Sequence, residues 1–464
     1  MMPTSVSFPL PFYLSSVAVL YFGWKAWQFR EKGWGIPMLA VLGTSCAWYI
    51  GDALYNDYNR YDLTFGEGTL LDAWWEIFLF FISFGIMVPI MHRLLNGQLK
   101  QGQSRIFQTL RDRQIDTDDF QHQITILAGA LLGPWLILMG LGLFRTNFDF
   151  TGLFFPYLGE KSDPWARDRI GAGFDAIYAF AGYIQLMLTA LWGALFALSK
   201  RPGMMCLTGT VYFLSAPFYV FDRTRSFMLA ILLPGFMAFV VFRMRGGLIM
   251  RLAVVIIAFV AVEGWMKFVI DNRDQMSITD ALKTGGVQDM DVKSRKHGGF
   301  NMFEELCYIN YYIANGTYNV NWGTRYYAEI VNPIPRVLWP GKPMIGIDYA
   351  IARGMKYGDQ AAKSGGIASS ISTGMIGQGI VNFGRFFGPI ASALLMAIWV
   401  AVLARLDLMG GDPGHLLLYA IGLVLTYNMG RDITLLILYP FIFGWILVNF
   451  IRKNRLRPSV PYEN

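Results

Sequence analysis

Charge is scarce in this sequence. The 39 Lys and Arg and 32 Asp and Glu together make 15% of its 464 residues, where a soluble globular chain carries about a quarter to wet its surface. By length alone the chain would form about three soluble domains; its composition excludes that, along with disorder and nucleic-acid binding. Cysteine is also rare. Cys46, Cys206 and Cys307 are odd in number and far apart, which excludes a disulfide framework or a metal knuckle. The four histidines, His92, His122, His297 and His415, lack metal-ligand spacing. There is no Walker-type phosphate loop, no dinucleotide glycine pattern after a strand, and no nucleophile elbow with a usable triad. The internal repeat common in secondary transporters is missing too.

What remains is apolar: 54% hydrophobic and 16% aromatic residues. An all-α polytopic membrane protein is expected. Crossing a hydrocarbon core of about 30 Å takes about 20 apolar residues, and eleven runs qualify, near 8–28, 35–55, 70–92, 123–144, 172–198, 204–221, 226–243, 252–270, 386–405, 413–429 and 433–451. The first has no basic residues before it and no small-residue cleavage site after it, so it reads as a span and not a cleavable signal.

Basic residues set the threading. Residues 1–24 carry no charge. The basic clusters Lys25/Arg30/Lys32, Arg93 to Arg113, Lys200/Arg201, Arg243/Arg245/Arg251 and the tail from Arg452 all fall on one side if eleven spans start from an outer N-terminus. The chain then divides into eight spans over 1–270, a large outer loop over 271–385, and three spans with a basic inner tail over 386–464.

Ionisable groups inside a bilayer cost several kcal/mol. Glu76, Asp175 and Glu263 lie at a similar depth near the outer ends of their runs, which fits a polar cavity or a buried hydrogen-bonded network equally well. Two arginines, Arg223 and Arg225, lie in a short outer turn, and Arg431 precedes Asp432 in another. Guanidinium forks suit phosphate or pyrophosphate; lipid-headgroup contact or a structural salt bridge is the plain alternative. The loop adds Arg336 and Lys342 among four prolines (Pro333, Pro335, Pro340, Pro343), which forbid regular helix and fix the backbone. Tyr326 and Trp339 belong to an aromatic stretch suited to sugar rings or to a membrane interface. The small residues of 365–384 allow close backbone approach.

The order Arg223-Thr-Arg-Ser, Gly323-Thr-Arg-Tyr-Tyr, Pro335-Arg-Val-Leu-Trp-Pro-Gly-Lys-Pro, Asn382-Phe-Gly and Arg431-Asp resembles the Wzy-type O-antigen and exopolysaccharide repeat-unit polymerases. That resemblance implies a GT-C-like enzyme of the bacterial inner membrane, with a periplasmic N-terminus and large loop and a cytoplasmic C-terminus. The implied reaction moves a growing chain from undecaprenyl pyrophosphate onto the next lipid-linked oligosaccharide. Its partners are therefore that lipid-linked donor and acceptor, membrane lipids and a chain-length regulator, without nucleic acid. No cofactor or metal is implied, because cations beside the leaving pyrophosphate take over charge stabilisation.

Arg223, Arg336 and Arg431 are then the catalytic candidates, with Arg225, Lys342, Arg325, Tyr326, Trp339, His297, Gln378 and Asn382 binding substrate. A general base for the acceptor hydroxyl could be Glu304, Glu305, Asp348, Asp222 or His297; Glu305 is carried as the catalytic one. Family members often have a glutamate where this chain has Gln378. Two rival functions share parts of the pattern: an O-antigen ligase, in which His297 would be the functional outer-loop histidine, and a transporter or flippase of lipid-linked sugars.

Overall fold

A computed structural model describes residues 7–97, 103–111, 114–158, 161–165, 175–221, 225–244, 246–271, 301–331, 334–335, 337–343, 347–353, 372–410, 412–433 and 435–455. Every regular element among them is helical. In chain order the α-helices are α1 (Leu10–Gln28), α2 (Gly35–Ser45), α3 (Asp52–Tyr55), α4 (Tyr58–Phe65), α5 (Glu67–Asn96), α6 (Arg105–Arg111), α7 (Asp118–Arg145), α8 (Phe150–Phe154) and α9 (Asp175–Leu198). They continue as α10 (Pro202–Val220), α11 (Arg225–Ala238), α12 (Leu248–Asp271), α13 (Met302–Ala314), α14 (Thr324–Val331), α15 (Ile347–Ala352), α16 (Met375–Met409), α17 (Pro413–Met429) and α18 (Leu435–Arg455). A π-helical turn at Cys46–Gly51 joins α2 to α3, and another at Phe239–Arg243 extends α11.

Over its described residues each of the eleven apolar runs is mainly helical, as a backbone in hydrocarbon must be to satisfy its own polar groups. By length and composition five helices can cross a bilayer: α5, α7, α9 over Phe180–Leu198, α10 and α16. The chain is a helical membrane protein. Local signals fix several starts. Thr117 accepts the Phe120 amide at the start of α7, and Asp412 accepts the His415 amide ahead of α17, whose first residue is Pro413.

Packing centres on α16 against α5, with α1, α2 and α13 around them; α9, α10 and α11 form a second group, and α17 joins the two. The connections sort into two ends. At one end, the Ser104 amide donates to the Glu31 carbonyl (2.8 Å), the Ile106 amide to Asp407 (3.0 Å) and Arg243 to the Ser199 carbonyl (3.1 Å). At the other end, the Phe303 amide donates to Asp52 (2.8 Å) and the Met375 amide to the Gly430 carbonyl (3.2 Å). This is the same grouping that the basic clusters require.

One boundary differs from expectation. A short helix from Met375 precedes the span expected from 386, inside what was assigned to the loop. At Gly384 (φ 76°, ψ 177°) the helix breaks and the chain doubles back; a side chain would strain that left-handed backbone. Residues 375–383 then lie antiparallel to the start of the long helix, with the Ser392 hydroxyl donating to the Met375 carbonyl (2.7 Å). A Cβ on Gly379 would overlap the Gly388 carbonyl, and one on Gly388 the Ile380 nitrogen. The small residues are thus used for helix-on-helix contact.

Candidate functional site

The re-entrant 375–383 segment organises the site. Its first amides find partners outside the helix, Met375 at the Gly430 carbonyl and Ile376 at the Tyr49 hydroxyl (2.9 Å), so the orphan donors of a helix start are satisfied. One turn on, Gln378 is fully buried and makes a two-way pair with Ile433: its amide donates to the Ile433 carbonyl (3.1 Å) and its oxygen accepts the Ile433 amide (2.8 Å). That pair pins the turn carrying Arg431 and Asp432. Asn382, also fully buried, donates to the Gln378 carbonyl (2.8 Å) and accepts the Tyr326 amide (3.2 Å), which fixes the first turn of α14.

Arg325 is the second residue of α14. It is 5% exposed, and its Nη2 lies 3.8 Å from Asp432. Among the described residues, its buried Nε and Nη1 have no hydrogen-bond partner. Asp432 in turn accepts from the amide (3.1 Å) and the hydroxyl (3.2 Å) of Thr373. Unmade bonds of a buried charged donor cost more than about 1–3 kcal/mol each, so the two nitrogens mark a place for an acceptor. Arg431 stands one residue from Asp432, exposed and without an ion-pair partner among the described residues. The Tyr326 ring lies 6.0 Å from Phe383, and burial pushes its phenol up to about 12.

A second cluster adjoins the first. Glu305, in the first turn of α13, accepts from the Tyr349 hydroxyl (2.7 Å) and from Arg353 Nη2 (2.8 Å) and Nε (3.3 Å). Arg353 also stacks 3.4 Å over the Tyr308 ring. Burial first, and the Glu305 charge next, push the Tyr349 phenol well above its ordinary value, while the charges of Arg353 and then Arg325 pull it down. With its oxygens engaged in charge-assisted bonds, Glu305 is the counter-ion of Arg353. Glu304 pairs with Arg60 at 3.3 Å.

Other expected residues are placed differently. Lys342 is buried and donates to the Ile334 carbonyl (2.6 Å), tying the proline-rich turn to itself. Trp339 meets the ring of Tyr327 edge-on at 6.4 Å. Glu76 is buried and hydrogen-bonded by Asn310 (2.7 Å) and Arg385 (2.9 Å), so of its two readings the structural network holds. Arg223, Arg336, His297 and Asp222 lie outside the described residues, as do the side chains of Arg225, Asp348, Asp175 and Glu263. Among the described residues no group of three or more His, Cys, Asp and Glu side chains is placed to hold a metal.

Three participants had no motif of their own. Arg385 directly follows Asn382-Phe-Gly and could have been read with it; Arg353 and Tyr349 carry no local signal. The fold and the site together define a helical membrane protein with a buried arginine, Arg325, beside Asp432 at the end of the bundle opposite its basic clusters. No protein-family model matches the chain, and searches of curated proteins and of solved structures give no match.

Proposed function

We propose that this protein polymerises undecaprenyl-pyrophosphate-linked oligosaccharide repeat units at the periplasmic face of a bacterial inner membrane, its chain crossing eleven times. The observation that carries the reading is Arg325, buried beside Asp432 with two nitrogens unpartnered among the described residues, Arg431 being the chain neighbour of Asp432. In the reaction the acceptor hydroxyl oxygen bonds to the anomeric carbon of the donor sugar as the bond to pyrophosphate breaks. The leaving pyrophosphate takes the electron pair, and Arg325 and Arg431 bind its oxygens and stabilise that charge. The hydroxyl proton leaves to a base, a role for which Glu305 is poorly suited. Gln378 and Asn382 act as positioning residues for the two arginine-bearing segments; they accept and donate only to backbone.

The test is a gel of surface and lipid-linked glycans from a strain lacking the gene, complemented with the wild type, Arg325→Ala or Arg431→Ala at matched membrane levels. Wild type should restore a polymer ladder, and each variant should leave mostly single repeats. Full ladders from both variants would sink the arginine assignment. Full-length polymer stranded on its carrier in the deletion strain would identify a ligase, and repeats trapped on the cytoplasmic side a flippase.

A further inference from the structure

At the opposite, basic end of the bundle, α1, α2 and α5 enclose a cavity of about 480 Å³, within the range of about 300–1,000 Å³ typical of small-molecule sites. Its walls are apolar, with Phe22, Met38 and Pro89 among them, and its rim carries Lys25, Lys32 and Arg93. The helices are held close here by Gly85, where a Cβ would overlap the Phe22 ring.

None of the three rim cations has a carboxylate at ion-pair distance among the described residues. The nearest acid in sequence, Glu31, pairs with Arg30 at 3.6 Å. Lys25 Nζ lies 5.1 Å from the Trp24 ring and Lys32 Nζ 5.6 Å from Phe29; such contacts hold an ammonium in place without neutralising it. Exposed Tyr21, Trp24 and Trp27 flank the rim as interfacial aromatics do.

We propose that this cavity binds one anionic phospholipid from the leaflet on the basic side, its phosphodiester on Lys25, Lys32 and Arg93 and an acyl chain along Phe22, Met38 and Pro89. The unpaired cations select an anionic headgroup over a zwitterionic one. The apolar walls offer a free phosphate nothing, so the occupant is a lipid. This site is independent of the pyrophosphate reading at the other end.

The test uses the full chain in detergent, titrated with phosphatidylglycerol, phosphatidylcholine or water-soluble glycerophosphoglycerol, with bound molecules counted by native mass spectrometry. Phosphatidylglycerol should saturate at one tight site per chain, and phosphatidylcholine should bind at least about tenfold more weakly. A Lys25→Gln/Lys32→Gln/Arg93→Gln variant should lose at least about tenfold in phosphatidylglycerol affinity. An Arg105→Gln/Lys200→Gln/Arg201→Gln variant, which removes as much charge at the same end, should bind as the wild type does. Lys32→Gln alone, at an exposed position, should show a partial loss and serves if the triple variant does not fold. Equal binding of the two lipids, full retention by the groove variants, equal loss in the control, or competition by the soluble headgroup as strong as by the lipid would each overturn the proposal.

Discussion

Replacing Gln378 by leucine removes a side chain that closes two bonds onto one backbone residue and nothing else: the donor to the Ile433 carbonyl at 3.1 Å and the acceptor of its amide at 2.8 Å. Leucine fits the volume, so the cost is that of two buried backbone groups left unpaired. At about 1–3 kcal/mol each the total is about 2–6 kcal/mol. A Gln378→Glu variant separates the two bonds. It keeps an acceptor for the Ile433 amide but faces the Ile433 carbonyl with an oxygen, so it loses at least the about 1–3 kcal/mol of one group. Hydrogen exchange of a peptide covering the turn from Asn428 to Ile433 reads the difference, because opening equilibria shift about tenfold per 1.4 kcal/mol. The Ile433 amide should exchange about 30- to 20,000-fold faster in Gln378→Leu and about 5- to 150-fold faster in Gln378→Glu. Polymer formation should fall in both, since the turn holding Arg431 loosens. Unchanged exchange in a folded Gln378→Leu protein would refute the view that this pair holds the turn, and higher activity in Gln378→Glu would make the position a chemical one.

Four further changes probe the frame of the bundle. Gly379→Ala drives a Cβ into the Gly388 carbonyl, which a backbone cannot yield cheaply; a loss of about 3 kcal/mol or more is expected, seen as a lower midpoint when heated protein is run on gel filtration. Gly23→Ala, with nothing within 4 Å of the added atom, should leave that midpoint unchanged or raise it. Arg385→Ala strands Glu76 beside Asp72 and should cost about 2–4 kcal/mol, less than a fully buried pair because the arginine side chain is 38% exposed; adding Glu76→Gln should recover most of it in the same assay. Asp52→Ala takes the acceptor from the Phe303 and Glu304 amides at the start of α13 and from Tyr61 (2.9 Å). Limited proteolysis should then cut at the start of α13 faster, by a factor matching about 1–3 kcal/mol per orphaned amide, and unaltered cleavage would remove Asp52 from that role.

The all-helical character of the apolar runs was legible in the sequence. It follows from a sum over neighbouring residues: about 20 apolar side chains suffice to favour a buried helix. Gly384 and the glycines on either side of it were visible as small residues, but whether they served a ligand or a helix was not, because close approach has no meaning until the second backbone is in place. The same holds for the charged groups. Arg325 stood in a motif with no sign that it would be buried; Arg431, in a similar setting, is exposed.

By itself, then, the sequence determined a helical membrane protein and the rough positions of its long apolar helices, but not the short helices of the connections, such as those at Tyr58–Phe65, Met302–Ala314 and Thr324–Val331. Only the tertiary structure decided which polar groups are free to bind. Gln378 meets Ile433 across 55 residues, Glu305 meets Arg353 across 48, and Asp52 meets Phe303 across 251. A polar side chain is made available or unavailable by such partners. Their identity depends on packing over the whole chain, whereas the helices depend on energies that each stretch carries within itself.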